Sequence, residues 1–466
     1  MTAQVCNLKM RRPTALYMIV FILMLIITSV LSGTLSSLAP WVMIGLLGLG
    51  IVIFMAACHP KIGWYLVAGL IPFWAFSDFR IPLGPISMDP SLAVAAVCLA
   101  ASALLVLFDR QHINLHYSLY LSIGFYLISI LLSLLIMFNK GLPVLGGLAS
   151  ALRIFVGVGV ALSLSVFDKE DIRRMLRYFL IGAGLLFTLT IAIRVLRGEY
   201  IISGSIFNSK AVGGKNQVAI IATIFFCVAS SVYFIKPQLS LIDLWLFGVS
   251  SAALLMCFSR TAWVAAFVAF MPVFFSSSHK RRILLPTIAL IVVAAVFAGE
   301  LIKFLLRFET LLRLKYMVTG SVAIRLHYSR VAWELFSRAP FFGNGMGAFL
   351  FTLMQTPHND YLWILGEQGL AGFIPFVAIL ASIWSGILRN LRLDQVHQLG
   401  VKLSSEENPD RWVWIALISM MLGILILFLQ NDSHEVMPVW FFLGLGMSMC
   451  KRRDLDVPCT GELADR

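Results

Sequence analysis

Charge is scarce in this chain: Asp, Glu, Lys and Arg make up 13% of 466 residues, while 60% are hydrophobic. A soluble protein of this length could not bury so much apolar surface, whereas a lipid solvent does not require burial. The shortage therefore argues against a water-soluble domain, and length sets no domain count, because the bilayer fixes element length. Cysteine is sparse as well. Cys6, Cys58, Cys98, Cys227, Cys257, Cys450 and Cys459 are scattered and never spaced CxxC, so neither a zinc site nor a disulfide framework is indicated. Acidic residues are few as well, 23 in all. Asp454-Leu455-Asp456 lies in the C-terminal tail, and Asp78 and Asp89 stand far apart in one loop. No divalent-metal cage and no cofactor are expected.

What is present is basic and apolar. Lys and Arg number 36 against 23 acids, a formal charge of +13. The basic residues sit in short clusters between apolar runs, as orientation signals do. No basic face with interleaved aromatics appears, so nucleic acid is not an expected partner. Apolar runs fall near 16–31, 40–57, 61–76, 90–108, 116–138, 149–166, 176–196, 216–235, 240–257, 260–276, 283–299, 361–388, 411–430 and 436–450. The fold class expected is an all-α integral membrane protein, a polytopic bundle of about twelve to fourteen transmembrane helices with one long outer loop. The runs at 61–76 and 436–450 are short for a span. The segment 11–32 reads as a retained first helix rather than a signal peptide, because more spans follow.

Loop charge orients the bundle. With Lys9, Arg11 and Arg12 inside, the inner loops carry Lys61, Arg110, Lys169, Arg173, Arg174, Arg177, Lys236, Lys280, Arg281 and Arg282. Arg389, Arg392, Lys402, Arg411, Lys451, Arg452 and Arg453 continue the series without a break. Both termini are thus expected in the cytoplasm. The organisation that follows is N-terminal transmembrane helices over 1–299, an outer loop over 300–360, C-terminal helices over 361–450 and a tail over 451–466.

Two outer segments stand out, 197–215 and 300–358. The second holds Lys303, Arg307, Arg313, Lys315, Arg325, Arg330 and Arg338 against few acids. It reads either as a surface facing solvent or lipid headgroups, or as a site for anionic phosphates. Leu301, Phe304, Leu305, Phe308, Leu311 and Leu312 recur at helical spacing, as in an interfacial amphipathic helix. A second helix is expected over about 324–337, ending at Arg338-Ala339-Pro340.

Four features carry possible chemistry. Arg260, in Cys257-Phe258-Ser259-Arg260-Thr261, lies in a tight outer hairpin at the membrane boundary. It either snorkels to headgroups or grips a ligand phosphate in a bidentate fork. His358, in Thr356-Pro357-His358-Asn359-Asp360-Tyr361, stands where the loop re-enters the membrane. It is either a polar helix-start residue or a general base, held by Pro357 and by an Asn359 or Asp360 cap. Glu367, between Gly366 and Gly369, is either a functional intramembrane carboxylate or a structural partner for an arginine such as Arg153. Gly343, Gly345 and Gly347 form GxGxG with no strand before it, so a dinucleotide fingerprint is rejected. They remain either a flexible turn or a place where backbone N–H groups approach an anion.

These residues lie in a longer pattern. It comprises Arg325…Trp333-Glu334-Leu335-Phe336…Pro340-Phe341-Phe342-Gly343-Asn344-Gly345-Met346-Gly347-Ala348-Phe349. It continues through His358-Asn359-Asp360-Tyr361-Leu362…Glu367-Gln368-Gly369-Leu370-Ala371-Gly372. With Ser259-Arg260-Thr261-Ala262-Trp263 and Gly214-Lys215-Asn216-Gln217 upstream, the pattern over roughly 205–385 resembles the O-antigen ligase and polymerase family of bacterial envelope glycosyltransferases. The resemblance implies a GT-C-like architecture in the bacterial inner membrane and a glycan donor carried on undecaprenyl pyrophosphate. The acceptor it implies is lipid A-core for a lipopolysaccharide ligase, or a second lipid-linked glycan for a polysaccharide polymerase. Arg260 and Arg325 would hold the diphosphate and His358 the acceptor hydroxyl, with Arg330, Lys215, Asn359 and Glu367 as further substrate-binding candidates. A pyrophosphate leaving group needs charge stabilisation more than protonation, which two arginines supply without a metal. A metal-independent, inverting single displacement is therefore the expected reaction, with ligase placed ahead of polymerase. A transporter of an anionic lipid is the rival from another class. It would carry internal repeats and ionisable residues near the bilayer midplane, whereas here the charged candidates gather at one face.

Overall fold

The computed structural model describes residues 60–75, 81–83, 86–88, 99, 115–142, 144–196, 215–257, 259–277, 282, 321–353, 357–400, 411–429 and 436–450, less a few single positions within these stretches. The expected spans at 16–31, 40–57 and 283–299, most of 90–108, the amphipathic helix at 301–312, both termini and Asp454-Leu455-Asp456 lie outside the described residues.

The described residues are almost entirely helical. In lipid only internal hydrogen bonds satisfy the backbone, so long apolar runs become helices. They are α1 (Pro60–Leu70), α2 (Tyr117–Asn139), α3 (Val144–Leu164), α4 (Lys169–Leu196), α5 (Lys215–Ile235) and α6 (Leu241–Met256). After these come α7 (Arg260–Ser276), α8 (Ser321–Arg338), α9 (Ala348–Leu353), α10 (Asp360–Gly400), α11 (Arg411–Phe428) and α12 (Met437–Ser448). A 3-10 turn, Ile71–Ala75, extends α1, and an antiparallel pair, β1 (Ile81–Leu83) with β2 (Ile86–Met88), sets Ile81 opposite Met88. Among the described residues six helices are long and apolar enough to cross a membrane: α2, α3, α4, α5, α10 and α11. The chain is an all-α polytopic membrane protein. The run expected at 61–76 yields only the 11 residues of α1 and its 3-10 extension, and the run at 436–450 yields the 12 residues of α12.

Burial sorts the helices. The apolar window of α5 is 94% buried and that of α11 78%, against 39% for α2 and for α4. The first two are therefore central and the others expose a face to lipid. Close approach comes from small residues, as in other membrane bundles. A Cβ on Gly182 of α4 would sit 2.0 Å from the Gly69 carbonyl oxygen of α1. The same pair is clasped by Asp171, which accepts from Lys61 Nζ at 2.7 Å and from the Tyr65 hydroxyl at 2.5 Å. At the C-terminus of α5, Arg282 donates to the carbonyls of Tyr233 at 2.9 Å and Pro237 at 2.6 Å. A cation there complements the helix dipole.

Interhelical contacts fix the two ends of the bundle. At one end the His116 N–H donates to the Cys450 carbonyl at 3.3 Å, and the Asn390 amide reaches the Met449 carbonyl. Lys169 stands 5.3 Å over the Trp414 ring at this end. Arg173, Arg174, Arg389, Arg392 and Arg411 lie in the neighbouring turns. The other end collects α8, α9 and the first turns of α10.

One departure from the sequence expectation shapes that second end. The apolar run at 361–388 reads as a straight helix, yet α10 breaks at Gly369, with φ 65° and ψ −161°. The Tyr361 ring lies 6.4 Å from those of Phe373 and of Phe376. In a straight helix these residues would be separated by about 18 and 22 Å along the axis. The first turns of α10 thus fold across the bundle end, and the membrane-crossing part begins after Gly369. Beside it α2 runs antiparallel, pairing Tyr126 with Phe376 at 5.6 Å and Ser129 Oγ with Gln368 Oε1 at 3.1 Å.

Candidate active site

The break in α10 strips main-chain groups of their helical partners, and the glycine loop after α8 replaces them. The Asn344 N–H donates to the Gly366 carbonyl at 3.1 Å and the Gly345 N–H to the Glu367 carbonyl at 3.0 Å. In return the N–H groups of Leu370 and Ala371 donate to the carbonyls of Pro340 and Phe341, each at 2.9 Å. The Asn344 side chain adds bonds to the carbonyls of Leu335 at 2.6 Å and Gly366 at 3.1 Å. From α2, Ser133 Oγ donates to the Glu367 carbonyl at 2.9 Å and Lys140 Nζ to Asn344 Oδ1 at 3.2 Å.

This closeness explains the glycines. Gly343, Gly345 and Gly347 have φ of 74°, 99° and 80°, values L side chains rarely adopt. The loop turns its N–H groups toward the protein's own carbonyls. The N–H groups of Gly343, Asn344, Gly345 and Met346 all donate to main-chain carbonyls. It is a plug that lets a transmembrane helix break without orphaned polar groups.

Around the plug, α8, α9 and the first turns of α10 form a small cap with its own core of Ala332, Leu335, Phe349 and Trp363. Glu367 belongs to this frame. It is 1% exposed, and its Oε1 accepts from the Phe349 N–H in the first turn of α9 at 3.1 Å. Arg153, by contrast, is exposed on α3.

His358 stands at the mouth of the cap. Its φ is 54°, the one positive value among the described non-glycine residues. Such a conformation persists only where the surroundings enforce it. Pro357 before it is buried. After it, Asn359 Oδ1 accepts from the Leu362 N–H at 3.1 Å, so Asn359 is the cap of α10. Tyr328 of α8 faces the imidazole, with ring centroids 6.3 Å apart and planes at 48°. Sequence reading missed Tyr328, although it lies one turn from Arg325 on the same helical face. Both are half-buried, whereas Arg330, about 140° further round α8, is exposed. The structure therefore brings Tyr328 to His358, which Asn359 follows, while Arg325 lies three residues before Tyr328 on α8 and Arg330 is exposed.

Arg260 opens α7 directly after a three-residue hairpin from α6. Ser259, 5% exposed, caps the helix by accepting from the Ala262 N–H at 3.4 Å. Trp263 Nε1 donates back across the hairpin to the Leu254 carbonyl at 2.8 Å. The helix packs along α11, whose last turns also receive the Tyr361 hydroxyl on the Leu425 carbonyl at 3.5 Å. One helix thus links Arg260's element with His358's. The side chains of Arg260 and Lys215 lie outside the described residues. Among the described residues no three His, Cys, Asp or Glu side chains gather as a metal-binding group.

Comparison with known proteins adds to this geometry. Residues 245–377 match a family model described as O-antigen ligase, and no curated protein matches the chain. The matched segment starts in α6 and ends past the break in α10. It includes Arg260, Arg325, Arg330, His358, Asn359 and Glu367 but not Lys215, so it is narrower than the 205–385 resemblance. Over residues 245–377, less than a third of its length, the chain is thus similar to the O-antigen ligase family.

Proposed function

We propose that the protein transfers a glycan from an undecaprenyl-pyrophosphate donor to an acceptor sugar hydroxyl, as an O-antigen ligase acting on lipid A-core. The observation that carries this reading is the left-handed His358, held between its buried proline, its capping asparagine and an aromatic ring borne on Arg325's helix. A base that must meet a hydroxyl at one fixed point gains from such restraint. In this scheme Arg325 and Arg260 neutralise the departing diphosphate. His358 accepts the acceptor proton as the hydroxyl oxygen attacks the anomeric carbon, and the bond from that carbon to the phosphate oxygen breaks. The displacement is single and inverts the anomeric centre, with no metal required. Glu367 contributes through the frame, since its carboxylate is buried beneath the cap.

The basic end of the bundle fits a cytoplasmic side by the positive-inside rule. The cap then faces the periplasm from the bacterial inner membrane, and both termini lie inside. A polymerase of the same family would use the same site with a second lipid-linked glycan as acceptor. The envelope of a deletion strain separates the two. Core lacking all O-chain supports the ligase; core bearing a single repeat supports the polymerase. Transfer by detergent-purified protein, with no vesicle present, would rule out a pure lipid transporter.

A further inference from the structure

We propose that Tyr328 is a positioning residue. It packs on the His358 imidazole and holds it in register with Arg325, one helical turn away. The inference rests on the glycan-transfer reading above, and it assigns a task to a residue that reading did not need.

The main chain at His358 is fixed from both sides. Pro357 is buried before it, and Asn359 caps α10 after it. Those restraints set the backbone, while the direction of the ring depends on what the side chain meets. The ring contact that addresses this comes from another element: the Tyr328 ring, 6.3 Å away at 48°. Tyr328 is itself firmly based. One and two turns further along α8, Ala332 is 0% exposed and Leu335 7% exposed, both within the cap core with Phe349 and Trp363. In the other direction, Arg325 lies three residues back on the same face. The tyrosine thus stands between the helix that bears Arg325 and the turn that bears His358.

The test has two arms. In the first, kcat and the donor KM are measured for wild type, Tyr328→Phe and Tyr328→Ala with a lipid-linked glycan donor. The expected result is kcat within about threefold of wild type for the Phe variant and a loss on the order of 10²-fold for Ala, as for other misplaced catalytic groups. Donor KM should change little in either. The second arm needs no substrate. NMR of ring-labelled histidine in detergent micelles should show a ring-current shift at His358 that Tyr328→Phe keeps and Tyr328→Leu, which preserves apolar volume, loses. Wild-type kcat in Tyr328→Ala, or a His358 signal identical in Tyr328→Leu and wild type, would overturn the proposal. Should wild type transfer no glycan at all, the functional reading fails, while the second arm still decides the contact.

Discussion

Gly343 lies so close to Glu367 that a Cβ on the glycine would sit 2.3 Å from the Glu367 carbonyl oxygen. This contact is the point at which the loop after α8 locks into the broken helix α10. Gly343 also has φ 74°, so an alanine there meets both backbone strain and a main-chain clash. Gly343→Ala should therefore destabilise the cap by about 2–4 kcal/mol. Thermal unfolding of the detergent-purified variant reads this directly; a melting temperature equal to wild type would show that the loop does not plug the break.

Glu367 offers a more selective perturbation. Its carboxylate accepts the Phe349 N–H, and removing the acceptor leaves a buried donor unsatisfied. Glu367→Ala should cost about 1–3 kcal/mol. Glu367→Gln keeps a carbonyl acceptor and should retain most of the stability and activity. If Gln abolished transfer in a fully folded protein, the negative charge itself would matter and the scaffold role would be wrong.

The two arginines of α8 should behave differently. Arg325 shares a face with Tyr328, whereas Arg330 is exposed. Arg325→Ala is expected to weaken donor binding by about 10-fold or more, in line with a lost charge-assisted phosphate contact of about 1.5–3 kcal/mol. Arg330→Ala should stay within about twofold, as exposed charges contribute little. Equal losses in a donor-binding titration would contradict the placement of Arg325.

Orientation is open to chemical labelling. Arg330 of the cap and Arg392 near the other end of α10 are both exposed. In a cysteine-free background, Arg330→Cys should react with a membrane-impermeant maleimide in intact spheroplasts. Arg392→Cys should react only after permeabilisation. The reverse pattern would place the cap in the cytoplasm and remove the periplasmic donor from consideration.

Much of this arrangement was legible in the sequence, and the exceptions share a cause. Spans such as α2, α5 and α11 follow from apolar length alone, and Ser259 and Asn359 announce their helix starts by cap chemistry. The break at Gly369 was not legible. Its apolar run is continuous, and the replacement partners for its backbone come from the glycine loop, 22 residues earlier in the case of Asn344 and Gly366. Such a break depends on tertiary contact rather than local propensity. For the same reason GxGxG read as a turn or an anion cradle, since nothing local says that its N–H groups meet carbonyls of α10. Tyr328 was hidden differently. Its spacing from Arg325 was visible, but its proximity to His358 requires the packing of α8 on α10.

The central claim is that His358 acts on the acceptor hydroxyl, and the measurement closest to it is transfer by purified His358→Asn. Asparagine tolerates the left-handed backbone better than alanine does, so this variant removes the imidazole with little strain. With lipid-linked donor and acceptor, wild type should form product. The variant should bind donor normally and lose at least about 10²-fold in transfer rate, the usual reach of general-base catalysis. Near-normal transfer by a folded His358→Asn protein would contradict the assignment.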